Sequence, residues 1–433
     1  MLLSCGMEKS NDKKFKIVSL GCRTNQYEAQ AYHDQLTALG YSQAKEDEEA
    51  EICIVNTCTV TESADSSSRH AIRQLARENE GSKLLVTGCF AERQPKAVES
   101  IEGVTHVIPN SKKEDLLTTL FPEDELPEFS IKNFDAHTRA FVKVQDGCNS
   151  YCTYCIIPYV RGRSRSRPGQ EIIEEVKGLV ANGFREVVLT GINVGDFDGG
   201  EPQGHPPMKL AELVRLVDQI PGVERVRISS IDPDEVDHDL ADAVLNGKNT
   251  CPSMHIVLQS GSNVLLKRMN RKYTRQMFFE TVDRLRAANP DFTFTTDIIV
   301  GFPGETDSDF QETLEVMREV KFAKVHMFPY SDRPRTRSAL MPNKVPHEVI
   351  KERKQRVLRL AEELSLDLRS QFLNRRMMVL TESREERYPS EIAGHTSNFL
   401  PVLVQHETLE ANQMIEVELI ENTPRGLIGR PVH

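Results

Sequence analysis

The sequence predicts an α/β protein in three parts: an N-terminal parallel-sheet domain, a partial (β/α)6 barrel and a small C-terminal β-barrel. Three observations carry this. Short apolar runs alternate with helical patterns over residues 13–125. Six more apolar runs, again separated by helical stretches, lie within 136–364. The last part, 365–433, changes to short strands with turns between them. Short apolar runs separated by helices indicate parallel sheets, because a parallel connection needs a crossover.

In the first part "FKIVSLGC", "EICIVNTC" and "SKLLVTGC" are buried-strand runs, and "VTHVIPN" reads as a fourth. Helical patterns follow the first three, in "YEAQAYHDQLTALG", "ESADSSSRHAIRQLARENEG" and "ERQPKAVESI". Residues 1–12 read as a tail. The Pro- and acid-rich stretch "FPEDELPEFSIKNF" reads as a linker, assigned to 126–135. The six strands of the second part are "AFVKVQDG", "FREVVLTG", "VERVRISS", "MHIVLQS", "FTFTTDIIVG" and "FAKVHMFPYS". Six units fall short of the eight of a closed barrel, so an open partial barrel is expected, with its site at the C-terminal ends of the strands. A long helix, "HEVIKERKQRVLRLAEELSLDLRSQFLN", leads to four strand candidates: "RMMVLTES", "NFLPVLVQH", "QMIEVELIEN" and "GLIGRPV". Small all-β barrels of this kind often bind oligonucleotides.

The 433 residues give ample core material, and 39% hydrophobic with 27% charged residues describe an ordinary soluble protein. No apolar run approaches the about 18 residues of a membrane span. "MLLSCGMEKSNDKKFK" has a Cys5 placed as in a lipoprotein box but no basic leader or long apolar region, so no signal peptide and a cytoplasmic location are expected. Nine cysteines in that compartment point to thiols or metal ligands rather than disulfides. A net charge of −11 argues mildly against a nucleic-acid partner. The cations are clustered, however: Arg161, Arg163, Arg165 and Arg167 in "VRGRSRSRPG", and Arg333, Arg335 and Arg337 in "SDRPRTRSA". Such patches can bind RNA despite a negative total.

"QDGCNSYCTYCIIPY" places Cys148, Cys152 and Cys155 within eight residues, with no fourth thiol nearby. Zinc sites usually need four ligands and ferredoxin runs use four closely spaced cysteines. The spacing also suits packing on one helix face, but Gly147, Asn149, Ser150 and Pro158 argue for a loop. What remains is a [4Fe–4S] cube held at three corners, its fourth iron open to a ligand. Cys22, Cys58 and Cys89 each stand at the C-terminal end of a predicted parallel strand. These ends lie together in a parallel sheet, at the crevice where ligands bind. Either three buried thiols or a second three-cysteine cluster fits them. Cys5, Cys53 and Cys251 lack such a context and read as ordinary thiols.

C-x-x-x-C-x-x-C with Tyr154 before the last cysteine resembles the signature of the radical S-adenosylmethionine superfamily. Together with the three strand-end cysteines and the C-terminal barrel, which is similar to a TRAM RNA-binding domain, the chain resembles the radical S-adenosylmethionine methylthiotransferases over nearly its whole length. "SLGCRTNQYEAQ", "IPYVRGRSRSRPG", "LTGINVGDF", "RISSIDPDEV" and "HMFPYSDRPRTRSA" look most like members that modify N6-threonylcarbamoyladenosine at position 37 of tRNA, beside the anticodon.

The resemblance implies methylthiolation of adenine C2. No side-chain base removes that hydrogen as a proton at neutral pH, so a radical route carried by a cofactor is chemically apt. It implies two [4Fe–4S] clusters and two uses of S-adenosylmethionine. At Cys148, Cys152 and Cys155 the cofactor is cleaved to a 5′-deoxyadenosyl radical. At Cys22, Cys58 and Cys89 a sulfur on the auxiliary cluster is methylated and then transferred. One base served by both clusters would require the first domain to face the barrel mouth. Tyr154, Asn193, Ser229, Ser230, Gln259, Asp297 and Gly301 lie in the cluster loop or at strand ends, where they can face the cofactor. Gly301 and Gly304 permit close backbone approach. Arg161, Arg163, Arg165, Arg167, Arg333 and Arg335 are expected to contact RNA phosphates or the threonylcarbamoyl carboxylate.

The partners expected are tRNA and a low-potential electron donor, with no membrane, and a monomer. Competing readings are methylthiolation of isopentenyladenosine in tRNA or of a ribosomal protein, and a non-catalytic iron–sulfur carrier.

Overall fold

Successive residues of a strand face opposite sides of its sheet, and the first sheet of this protein uses both sides. Ile52 and Ile54 pack with Phe15, Tyr32, Leu36 and Leu85 on one face. Cys53 and Val55 pack with Ile72, Leu75, Leu84, Val86 and Phe90 on the other. Burial on both faces is why these runs are continuously apolar rather than alternating. In the computed structural model, which describes residues 13–132, 138–200 and 207–432, the chain divides into two compact units that part between Ile131 and Lys132. Cys5 lies outside the described residues.

The first unit is a five-stranded parallel sheet. Its strands are β1 (Lys14–Ser19), β2 (Ser42–Gln43), β3 (Ile52–Thr57), β4 (Lys83–Gly88) and β5 (Val104–Val107), in the order β2-β1-β3-β4-β5. The helices are α1 (Arg23–Ala38), α2 (Glu62–Glu78), α3 (Cys89–Arg93) and α4 (Pro95–Glu99). Thr61 caps α2 by accepting from the Ala64 N–H. The run expected as one helix through "ERQPKAVESI" breaks before Pro95, which cannot sit inside a helix but suits its first turn. The short edge strand β2 carries no apolar signal and is missed by the sequence reading. The expected linker 126–135 is not free over its first half. Leu126 and Phe129 pack against the first sheet's core, and Ile131 is buried. Residues 133–137 lie outside the described residues.

The second unit opens with β6 (Arg139–Lys143), the two-residue β7 (Gln145–Asp146), α5 (Ile157–Val160) and β8 (Arg165–Ser166). It continues through α6 (Gly169–Ala181), β9 (Glu186–Thr190), α7 (Leu210–Asp218), β10 (Arg225–Ile228), α8 (His238–Asn246) and β11 (Ser253–His255). Then come α9 (Asn263–Arg268), α10 (Arg275–Ala288), β12 (Thr293–Val300), α11 (Asp307–Val320) and β13 (Lys324–Pro329). The ladders form two parallel three-stranded sheets, β10-β9-β6 and β11-β12-β13. Parallel bridges Val226↔Thr250 and Ile231↔Ile256 join them across β10 and β11. The six expected strands thus run in sequence order from β6 to β13 as an open, partial barrel.

Helix α12 (His347–Ser370) is continuous across the boundary expected at 364/365, so the last domain begins after it. There β14 (Arg376–Ser383), β15 (Glu391–Thr396), β16 (Pro401–Gln405), β17 (Met414–Thr423) and β18 (Gly426–Pro431) close a barrel in the order β14-β15-β16-β18-β17. Five strands form where four were expected; β15 was missed because "EIAGHT" holds Gly394 and little apolar content.

The two barrels of this unit are joined by charge. At the N-terminal ends of the partial-barrel strands, Glu186 accepts from Arg227 Nε at 2.6 Å. Arg227 Nη2 donates to Thr396 O at 3.0 Å, and Arg225 donates to His395 O and Met378 O, each at 2.8 Å. "GHTSNF" in the C-terminal barrel therefore closes the floor of the partial barrel.

Candidate active site

The three strand-end thiols of the first unit sit side by side because β1, β3 and β4 are neighbours in one parallel sheet. Cys22 is the extended residue before α1, Cys58 follows β3, and Cys89 opens α3. Asn25 stitches the loops together, donating to Leu20 O at 2.6 Å and Thr57 O at 3.1 Å, while its Oδ1 accepts from Cys22 Sγ at 3.7 Å. Ser68 brackets Cys58, accepting from its N–H at 3.1 Å and donating to its carbonyl at 2.9 Å. Beneath them Arg93 donates to Thr59 Oγ1 at 2.8 Å and pairs with Asp65. Gly21 is required here: at φ +95° a Cβ would stand 2.7 Å from Cys58 Sγ. Burial pushes the Cys58 thiol up to about 11, the Val60 N–H opposes this, and the charges of Cys89 and Cys22 add to it. Cys22 is exposed, whereas Cys58 and Cys89 are buried.

The second triad lies in the loop after β7, at the C-terminal end of the partial barrel. Two residues that the sequence reading passed over hold this loop. Gln145 donates to Gly147 O at 2.7 Å, and its Oε1 accepts from Ile192 N and Asn193 N at 3.0 and 2.9 Å. Asp146 accepts from Gly147 N and from Arg161 Nη1, both at 2.8 Å. Gly147 has φ +71°, and a Cβ there would stand 2.0 Å from Arg163 O.

The segment Arg268–Arg271, at the C-terminal end of α9, clamps the loop from the other side. Thr153 N donates to Met269 O at 3.0 Å and Thr153 Oγ1 to Arg268 O at 2.9 Å. Asn270 Nδ2 donates to Ser150 O and Tyr151 O, both at 3.2 Å. Arg271 Nη1 donates to Cys152 Sγ at 3.0 Å. The Cys148 sulfur accepts from Ser150 N at 3.4 Å. Burial pushes the Cys155 thiol up to about 12, reinforced by the Cys152 charge.

The donor sets fit iron–sulfur clusters. Each site brings together three cysteine sulfurs with a backbone N–H beside one of them. Among the described residues no group of three or more His, Cys, Asp or Glu is tight enough for a single metal ion. A cube with iron at its corners sets its thiolates wider apart than one ion does, so this does not count against a cluster.

The secondary residues divide. Asn193 Nδ2 donates to Glu235 Oε1 at 3.0 Å. Glu235 belongs to a capping box with Asp232, and burial, aided by the Asp232 charge, raises its carboxyl to about 7. Gln259 has φ +62°, and its buried Oε1 has no hydrogen-bond partner, which leaves it available to a ligand. Asp297, expected at a strand end, instead lies inside β12 opposite His326 of β13, 3.4 Å from His255 Nε2. Ser229 and Ser230 follow directly on β10, and the Ser229 N–H donates to Leu189 O at 2.9 Å. Tyr154 packs edge-on against Phe302 as part of the apolar cover of the loop.

Gly301 and Gly304 do not open space for a ligand. A Cβ would meet Ile350 at 2.4 Å in the first case and Arg268 Nη1 at 2.4 Å in the second. The arginines divide as well. The Arg161 side chain is fully buried on Asp146, and Arg333 is 4% exposed, so neither offers its guanidinium to a phosphate. Arg167 is held by Glu175 at 2.7 Å and by Lys143 O at 2.9 Å. Arg165 pairs with Asp146 at 3.1 Å with its side chain 47% exposed. Arg163, Arg335 and Arg337 are exposed. Tyr151 and Tyr159, 41% and 42% exposed, meet edge to face at 6.3 Å beside the cluster loop.

Residues 142–317 match the Radical SAM superfamily, and residues 14–109 match Uncharacterized protein family UPF0004. The chain is 48% identical over 425 residues to threonylcarbamoyladenosine tRNA methylthiotransferase MtaB of Chlamydia pneumoniae, covering 96% of this chain and 98% of that one. The chain belongs to the MtaB methylthiotransferase family. The MtaB protein of Bacillus subtilis (strain 168) is 34% identical, covering 93% of each chain. A tRNA-2-methylthio-N(6)-dimethylallyladenosine synthase of Carboxydothermus hydrogenoformans is 33% identical, covering 95% of this chain and 97% of its own. Among solved structures, the radical S-adenosylmethionine methyltransferase TsrM of Kitasatospora setae aligns with TM-score 0.53 at 14% identity, over 73% of this chain and 75% of that one. That likeness concerns the fold alone. As a radical SAM enzyme, an MtaB family member uses S-adenosylmethionine and a [4Fe–4S] cluster. Among the described residues no helix is long and apolar enough to cross a membrane.

Proposed function

We propose that this protein transfers a methylthio group to C2 of N6-threonylcarbamoyladenosine at position 37 of tRNA. The observation that carries the reading is the full-length relationship to the MtaB protein of Chlamydia pneumoniae, combined with both thiol triads standing at strand ends. Cys148, Cys152 and Cys155 would hold the [4Fe–4S] cluster, and Cys22, Cys58 and Cys89 a second one. When bound, the clusters and S-adenosylmethionine supply one-electron cleavage to an adenosyl radical and a methylated sulfur for transfer.

The chain's own residues bind and orient. Gln145, Asp146 and Asn270 hold the loop that carries Cys148, Cys152 and Cys155. Glu235, Asn193 and Gln259 follow the ends of barrel strands, Asp297 lies within β12, and these residues offer polar groups to S-adenosylmethionine. Tyr151 and Tyr159 present aromatic edges and faces on which unstacked bases of an anticodon loop can pack, and exposed Arg163, Arg165 and Arg335 take its phosphates. The electron comes from a low-potential donor, and a monomer suffices for a substrate as extended as tRNA.

Reconstituted enzyme is offered tRNA bearing threonylcarbamoyladenosine, dimethylallyladenosine or unmodified adenosine, and the nucleosides are read by mass spectrometry. A mass gain of one methylthio group is expected on the first alone. Product on the dimethylallyl substrate alone transfers the protein to that specificity. 5′-Deoxyadenosine formed with no nucleoside product on any tRNA removes tRNA as the substrate.

A further inference from the structure

We propose that Arg271 is a positioning residue that sets the electron affinity of the cluster at Cys148, Cys152 and Cys155, and that Asp232 holds it in place. The inference rests on the assignment of that cluster and goes beyond it. Arg271 lies outside the cysteine motif, 119 residues from Cys152 in sequence. Its guanidinium is divided between two partners: Nη1 donates to Cys152 Sγ at 3.0 Å and Nη2 pairs with Asp232. The face of the guanidinium lies 4.8 Å from the Tyr273 ring centre. The Arg271 and Asp232 side chains are 7% and 11% exposed, so the charge is poorly screened. Neighbouring Met269 and Asn270 grip the same loop through its backbone. Arg271 is thus held against one ligand sulfur by a preformed clamp.

The electrostatic consequence has a sign. Reduction adds one electron from the donor to the cluster and moves no proton. A buried cation donating to a ligand sulfur withdraws charge from that thiolate and favours the reduced state. Asp232 has two opposed effects: it aims the guanidinium and partly cancels its charge. Removing Arg271 leaves an uncompensated anion near the cluster, whereas neutralising Asp232 leaves an uncompensated cation. The two changes therefore shift the potential in opposite directions.

The test uses the full chain carrying Cys22→Ala, Cys58→Ala and Cys89→Ala, so that the paramagnetic signal comes from one cluster. Midpoint potentials are measured by EPR-monitored redox titration, with iron content checked at about four per chain. Arg271→Met is expected to disfavour reduction by about tenfold, about 59 mV more negative for a one-electron couple. Arg271→Lys is expected to recover part of that loss, and Asp232→Asn to move the potential the other way. Equal midpoints in all four proteins at full iron content overturn the proposal, and so do shifts of the same sign in Arg271→Met and Asp232→Asn. If Arg271→Met holds no iron, Asp232→Asn decides alone: a positive shift supports the proposal, and none or a negative one overturns it. If the parent chain shows no [4Fe–4S] signal, the cluster assignment itself fails, which is a different result from a signal that does not shift.

Discussion

The Phe399 ring centre lies 4.9 Å from the guanidinium carbon of Arg227, and through this contact the C-terminal barrel is seated in the floor of the partial barrel. Arg139 approaches the same ring at 5.3 Å, and His395 stacks on it at 4.7 Å. Thr293 Oγ1 donates to Asn398 O, and Asn398 Nδ2 donates to Asp291 O at 3.1 Å. The Phe399 backbone, at φ +64°, is left-handed, which turns the ring into this position. A segment of the C-terminal barrel expected to serve RNA binding thus has an internal role.

Arg227 is the centre of that floor, since its side chain is 6% exposed and its partner Glu186 is 1% exposed. Arg227→Ala leaves Glu186 buried, balanced by Arg225 at 3.5 Å and by the charge of Arg139 but without its hydrogen-bonded partner. A loss of about 3–5 kcal/mol is expected, read by denaturant titration of the full chain. Replacing both partners together, as Glu186→Leu with Arg227→Met, should recover much of it. Equal losses in the single and double variants would contradict the buried-charge account.

Gly21 admits no side chain. Its φ of +95° penalises any L residue, and a Cβ would press on Cys58 Sγ at 2.7 Å. Gly21→Ala should therefore drop iron content after anaerobic reconstitution from about eight to about four per chain. Cleavage of S-adenosylmethionine to 5′-deoxyadenosine should persist, because the second triad is untouched. Full iron loading of Gly21→Ala would mean that Cys58 is not a ligand.

Glu235 provides a pH test. Burial, with Asp232 and then Asp196 adding like charge against the Asn193 hydrogen bond, raises its carboxyl from 4.5 to about 7. A raised carboxyl pKa stabilises the folded chain below about 4.5, and this contribution is lost as pH climbs through about 7. Relative to Glu235→Gln, the wild-type chain should lose about 3 kcal/mol between pH 4.5 and 8. Thermal melts of the two cluster-free proteins across that range check it; parallel curves would show that Glu235 titrates normally.

Stacking and charge on the proposed tRNA surface separate by their salt dependence. Arg163→Ala or Arg335→Ala should weaken tRNA binding and reduce the slope of log K against log salt by about one each. Tyr151→Ala and Tyr159→Ala should each cost about 1–3 kcal/mol with the slope unchanged. Arg161→Ala should instead lower stability, because its charge is buried on Asp146. Binding that responds to none of the exposed residues would move the RNA surface elsewhere.

Local pattern made the two cysteine triads, four of the five strands of the first sheet and the six strands of the partial barrel legible, because a buried parallel strand must be apolar throughout, whereas the short exposed edge strand β2 need not be. Arg271 meeting Cys152 was not legible: 119 positions separate them, and only the winding of six strands into one open barrel brings α9's end onto the cluster loop. Nor could a run of arginines reveal which of its members are buried. Arg161 and Arg163 are two residues apart, yet one is closed on Asp146 and the other faces solvent. Residue type and spacing determine what chemistry a segment can perform. Whether a charge meets a carboxylate, a sulfur or water depends on which distant segment packs against it, and tertiary structure alone decided that.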